Sequence, residues 1–138
     1  METDIFINVA VKDLKKTTEF FQALGFNFNL QFTDEKATCM ILNDKAYVML
    51  LLESFFKGFT KKKLVNAHES TEVLLAISQP TREKVNEFVD KAISLGGIEA
   101  NESQDHGFMF SRSFSDLDGH IWEVLWMDMA GFENHQQS

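Results

Sequence analysis

Residues 116–126 read Asp-Leu-Asp-Gly-His-Ile-Trp-Glu-Val-Leu-Trp, a tight polar turn feeding an apolar strand with one acid, Glu123, in its middle. A carboxylate among large apolar neighbours is costly to bury unless it is paired, metal-bound or protonated. Glu123 is therefore the first candidate for chemistry, as a buried acid or base, as a contact for a ligand, or as one ligand of a divalent ion. Strand alternation puts Asn8 on one face with Phe6, and Glu72 on one face with Leu74. Phe6, Asn8, Glu72, Leu74 and Glu123 together would make a pocket with apolar walls and a few polar groups, the usual makeup of a small-molecule site. Arg112 and His106 are further candidate partners for the acid. His120 is not, because three residues along a strand it points to the opposite side.

Other chemistries find little support. Cys39 is the single cysteine and sits beside Met40, Ile41 and Leu42, which reads as core rather than nucleophile. A lone cysteine forms no intramolecular disulfide, in keeping with a cytoplasmic protein. There is no Gly-x-Ser-x-Gly elbow and no glycine-rich phosphate loop. The formal net charge of -8 argues against nucleic acid, whose binding needs clustered cations. Lys61, Lys62 and Lys63 form one short basic run, read as a solvated loop. No apolar stretch approaches the roughly 20 residues that span a bilayer, and residues 1–4 lack the basic region of a signal peptide.

The elements that must position these residues follow from periodicity. Residues 4–11 alternate as a strand, with Ile5, Ile7, Val9 and Val11 on the face that packs on helices. Asp13 offers an N-cap, and Leu14, Thr17, Phe21 and Leu24 recur at helical spacing until Gly25. Strands are expected over 26–32, 37–42 and 46–52. The same order then repeats: strand 72–77, a helix opened by Pro80 and Thr81 with a stripe of Val85, Phe88, Val89, Ala92 and Leu95, then strands 98–100, 108–114 and 120–126. Between the copies, residues 54–70 carry Phe55, Phe56 and Phe59, which favours a docked lid over a free linker. Trp122 and Trp126 are expected on the helix-packed face, and Ser111 and Ser113 opposite it.

Two β-α-β-β-β units, the opening Val11-Lys12-Asp13-Leu14 and the close Asp116-x-Asp118-Gly119-x-x-x-Glu123 resemble the vicinal oxygen chelate superfamily over about residues 4–128. The superfamily includes glyoxalase I, extradiol dioxygenases, fosfomycin-resistance enzymes and metal-free bleomycin-binding proteins. The resemblance implies a dimer whose paired units curl around a cavity for a divalent metal or a ligand. Metal-bearing members take His, Gln or Glu from the first and last strands of the units. Carried over residue by residue, those positions fall on Phe6, near Leu74, and on Met49, Leu50 and Leu51, so only Glu123 keeps a donor. Asn8 and Glu72 stand about 6.6 Å along their strands from those positions, too far for metal bonds of roughly 2.0 to 2.3 Å.

The expectation is an α+β fold of two tandem βαβββ modules, 4–53 and 71–128, forming a curved mixed sheet around a cavity. One domain would span 1–130, with a polar tail at 131–138. The resemblance implies a cytoplasmic homodimer of the bleomycin-resistance type that binds an apolar or aromatic small molecule without metal or other cofactor, and neither nucleic acid nor membrane. Its ligand contacts would be Phe6, Asn8, Glu72, Leu74 and Glu123. The alternative is a divalent-metal-dependent glyoxalase-like lyase or dioxygenase with an atypical ligand set, in which Glu123 is catalytic.

Overall fold

The computed structural model describes residues 2–131, so most of the expected polar tail lies outside the described residues. The fold is α+β. The chain divides after Leu64 into two compact units, each holding one mixed sheet.

In the first unit, β1 (Ile5–Val11), α1 (Leu14–Ala23), β2 (Asn27–Asn29), β3 (Ala37–Asn43) and β4 (Ala46–Leu52) form a sheet of order β1-β4-β3-β2. The odd face of β1 is the buried one, through Val9 and Val11, and Thr17, Phe20 and Phe21 of α1 are buried too. The Asp13 carboxylate caps the helix, accepting from the Lys16 amide at 3.0 Å. β1 and β4 run parallel, with Phe6 beside Tyr47 and Asn8 beside Met49. Cys39 on β3 is opposite Met49 and fully buried.

The strand expected over 26–32 is shorter than its apolar pattern suggests. The Asn29 side chain accepts from the Gln31 amide at 3.0 Å, and the Thr33 hydroxyl donates to the Asn29 carbonyl at 2.8 Å. These local bonds compete with the ladder, and Leu30–Phe32 becomes a 3₁₀ turn. The connection over 54–70 is likewise not a bare loop. It opens with α2 (Glu53–Phe56) and a second 3₁₀ turn, Lys57–Phe59. Phe55 meets Phe59 edge-on at 5.1 Å and lies under the Lys36 ammonium at 5.8 Å. Phe55 and Phe56 are half-buried, whereas Phe59 is exposed.

In the second unit, β5 (Leu74–Ser78), α3 (Arg82–Ser94), β6 (Ile98–Glu99), β7 (Gln104–Asp105), β8 (Met109–Ser115) and β9 (Ile121–Met127) form a sheet of order β5-β9-β8-β6, with β7 also paired to β8. Thr81 caps α3 through the Lys84 amide at 3.1 Å, and Val85, Val89 and Ala92 form its buried stripe. Gly97 closes the helix against the sheet: a Cβ there would lie 2.9 Å from the Ala92 carbonyl oxygen and 3.0 Å from that of Ser115. Two features of this unit differ from expectation by more than a residue. β5 starts at Leu74, leaving Glu72 in an exposed bend. β7 is unforeseen, since a Gln-Asp pair carries no apolar alternation.

Candidate functional site

The turn before β9 decides which way Glu123 points. Asp116 is buried and its carboxylate accepts from the amides of Asp118 (2.9 Å) and His120 (3.0 Å) and from Trp122 Nε1 (2.9 Å). Burial pushes this carboxyl above the ordinary range, against the pull of His120 and of the Trp122 donor. Gly119, at φ 88°, packs so closely on the preceding segment that a Cβ would fall 2.7 Å from the His68 amide nitrogen. The turn therefore fixes the indole of Trp122 in the core, and alternation sends Glu123 to the other face of the sheet.

On that face Glu123 lies beside Ala76 of β5 and opposite Ser113 of β8. The small neighbours leave a hollow of about 140 Å³, lined besides Glu123 by Asn101, Glu102, Gln104, Ser111, Arg112 and Ser113 and by apolar Met109 and Leu125. Ser113 is tied down, its Oγ accepting from the Asn101 amide at 2.9 Å. Gln104 pairs with Ser111 across β7 and β8. Glu123 itself is half-buried, and its side chain has neither hydrogen bond nor ion pair among the described residues.

Arg112 is not its partner. Register puts Arg112 beside Val124, on the helix-packed face. Its side chain is only 12% exposed, and the guanidinium donates to Asp90 (2.8 Å), Asn86 (3.0 Å) and Glu99 (3.2 Å). His106 is exposed, with its ring nitrogen 3.4 Å from Gln104 Oε1.

Of the expected contacts, Leu74 shares the face of Glu123, opposite Ile121, and is 52% exposed. Glu72 does not share it, because the strand that would carry the alternation has not begun. Phe6 and Asn8 lie together on the exposed face of the first unit's β1. There Phe6 stacks on Tyr47 at 4.9 Å and 14°, and Asn8 donates to the Phe6 carbonyl at 3.4 Å. Ser111 and Ser113 fall opposite the aromatic face, as their spacing suggests. Asn101, Glu102 and Gln104 join the site from a segment without apolar periodicity, which gives no signal in the sequence.

The donors do not fit a divalent metal of the superfamily type. Phe6 and Leu74 have no lone pair to offer, and Met49 has only a thioether. Among the described residues no group of three or more His, Cys, Asp or Glu is placed to hold an ion, whereas zinc sites take at least three protein ligands. No described helix is long and apolar enough to cross a membrane.

Comparison with known proteins bears on the fold. The profile of the family described as bleomycin resistance protein-like N-terminal matches residues 5–43. A hypothetical protein from S. aureus is 29% identical, covering 91% of this chain and 95% of its own, with a TM-score of 0.77. A glyoxalase-related enzyme from Fulvimarina pelagi is 16% identical, with coverages of 91% and 88% and a TM-score of 0.77. A genomically encoded fosfomycin resistance protein from Listeria monocytogenes is 18% identical, with coverages of 91% and 93% and a TM-score of 0.66. The last two likenesses concern the fold. No curated protein matches the chain.

Proposed function

We propose that this chain, which belongs to the vicinal oxygen chelate superfamily, binds a small molecule against Glu123 on the open face of its second sheet, without a metal ion or other cofactor. The observation that carries the reading is the half-buried carboxylate of Glu123, unpartnered among the described residues, at a hollow whose other charged lining residues are Glu102 and an Arg112 whose guanidinium is taken up by Asp90, Glu99 and Asn86. A charge held part-way out of water attracts a complementary group. About 140 Å³ suits one end of a ligand rather than a whole drug-sized molecule, which fills roughly 300 Å³ or more. The favoured ligand is an apolar or aromatic body ending in a protonated amine. Charge distribution supports the amine: residues 65–138 hold 13 Asp and Glu against 4 Lys and Arg. Arg82, Lys84 and Arg112 are already paired with acids. An acidic half-chain also draws cations from solution. The reading includes a homodimer in the cytoplasm; the free, buried Cys39 supports a reducing compartment.

Three fragments of similar size test this: benzylamine, benzyl alcohol and benzoate, titrated into ¹⁵N-labelled protein while the amides of Ser113, Glu123 and Leu125 are followed. Benzylamine should bind most tightly, benzoate least, and Glu123→Gln should remove the preference. If none of the three moves these amides, the ligand reading is wrong. The alternative reading, a metal-dependent glyoxalase-like lyase or dioxygenase, would be established by one equivalent of Ni, Zn, Fe or Mn per purified chain, lost in Glu123→Gln.

A further inference from the structure

We infer that Arg82 is a positioning residue for this hollow: it clamps the strap formed by residues 101–107 from the far side of the sheet, and so sets how tightly a ligand is held. The inference rests on the reading of the hollow as a ligand site.

The strap supplies Asn101, Glu102 and Gln104 to the rim, yet its own pairing to the sheet is slight. β7 is two residues long, Gln104 opposite Ser111 and Asp105 opposite Phe110. A ladder that short does not hold a segment by itself. Because side chains alternate, Gln104 turns to the hollow while Asp105 turns to the helix-packed face. There Arg82, the first residue of α3, grips it with two parallel bonds: Nη1 to Oδ2 and Nη2 to Oδ1, both 2.8 Å.

Arg82 Nη2 also donates to the Gly107 carbonyl at 2.9 Å, and the Gly107 amide donates back to Asp105 Oδ1 at 2.9 Å. The guanidinium rests on two rings, 5.3 Å from the centroid of Phe110 and 5.0 Å from that of Trp126. Those rings are cross-strand neighbours on β8 and β9. A fork bound to a carboxylate and a carbonyl while stacked on two aromatic faces is preorganised in a way an ordinary surface ion pair is not. The other end of the strap is fastened by the Ala100 amide on the Ser113 carbonyl (3.2 Å) and the Asn101 amide on Ser113 Oγ (2.9 Å). With both ends tied, Glu102 and Gln104 stay at the rim. With Arg82 gone, the Ser113 end, the short ladder and the His106 amide on the Met109 carbonyl (2.8 Å) remain, and Asp105 loses its hold on the helix.

Two variants separate fork from charge: Arg82→Met keeps the stem, and Arg82→Lys keeps the charge without the fork. Hydrogen exchange by mass spectrometry should show residues 101–107 exchanging roughly tenfold faster or more in Arg82→Met. Arg82→Lys should be intermediate, with β5 and β9 unchanged in both. Benzylamine affinity should fall by roughly threefold to tenfold in step with strap exchange. Unchanged strap exchange in Arg82→Met overturns the clamp. Faster strap exchange with unchanged benzylamine affinity overturns its control of binding. Wild-type protein that binds no fragment removes the ligand reading and the control of affinity with it, while exchange still decides whether the clamp exists. If exchange rises throughout the second unit in Arg82→Lys as well, Arg82 serves general stability and the inference fails.

Discussion

Replacing Glu123 by Leu should make the protein more stable while it abolishes amine binding. The carboxylate is half-buried and without a partner among the described residues, so folding removes part of its hydration and returns nothing in exchange. Leu125 and Met109 present apolar surface around the same hollow. A leucine at 123 would bury about 40 Å² more apolar area, worth about 1 kcal/mol at roughly 25 cal/mol per Å². Relief of the partly desolvated charge adds between a few tenths and about 1 kcal/mol. The expected gain is thus about 1–2 kcal/mol, read by urea denaturation with an unchanged m-value, or as a rise of about 3–6 °C in Tm. Glu123→Gln, which keeps the shape and drops the charge, should lie between wild type and the leucine variant. A loss of 1 kcal/mol or more in both variants would refute the reasoning, because the acid would then be holding the fold together. A gain accompanied by lost binding is the trade that functional polar groups make.

Asp116, seven residues earlier in the same motif, should behave in the opposite way. Asp116→Asn turns an acceptor into a donor facing the Trp122 indole or the amides of Asp118 and His120, and should cost about 2–4 kcal/mol in urea denaturation. The Arg82 fork and the Gly107 amide hold the Asp105 carboxyl well below the usual carboxylate range. An acid depressed in the folded state contributes stability that is complete above its unfolded pKa of about 3.9 and lost as pH falls towards the folded value. Exchange of residues 101–107, corrected for intrinsic rates, should therefore be flat from about pH 7 to 5 and rise below about pH 4. Cys39 is fully buried and its thiol is pushed up by that burial. Ellman's reagent should consequently react at the rate of unfolding, and labelling that is complete within the mixing time would contradict the packing.

The repeated strand-helix-strand order was legible because its signals are local and strong. The β-branched face of Ile5 to Val11, the Asp13 and Thr81 caps and the stripe of Val85, Val89 and Ala92 each point to one structure. Failures came where side-chain bonding or distant partners take over. Asn29 and Thr33 bend an apolar run into a 3₁₀ turn, and β7 depends on an arginine 23 residues away. In the site, Glu123 was readable as an acid out of place, and Leu74 shares its face. Glu72 precedes the start of β5, so the alternation that ties it to the face of Leu74 does not reach it. Gln104 and Asn101 could not be found, since a strap held by Arg82 and Ser113 has no periodicity of its own.

Internal duplication offers a control for what the fold requires at position 123. When the buried Val48 and Leu50 of β4 are matched to Trp122 and Val124 of β9, Met49 corresponds to Glu123. By the same register Cys39 corresponds to Ser113, and Asn8 to Ala76. The first unit thus meets the same sheet position with an uncharged thioether opposite a buried thiol. In the second unit the residues around that position are small or hydroxylic, and the room they leave is the hollow. A sheet of this topology therefore has no need of a carboxylate there. The charge at 123 runs against local packing, and such conflicts concentrate where a protein must meet something other than itself.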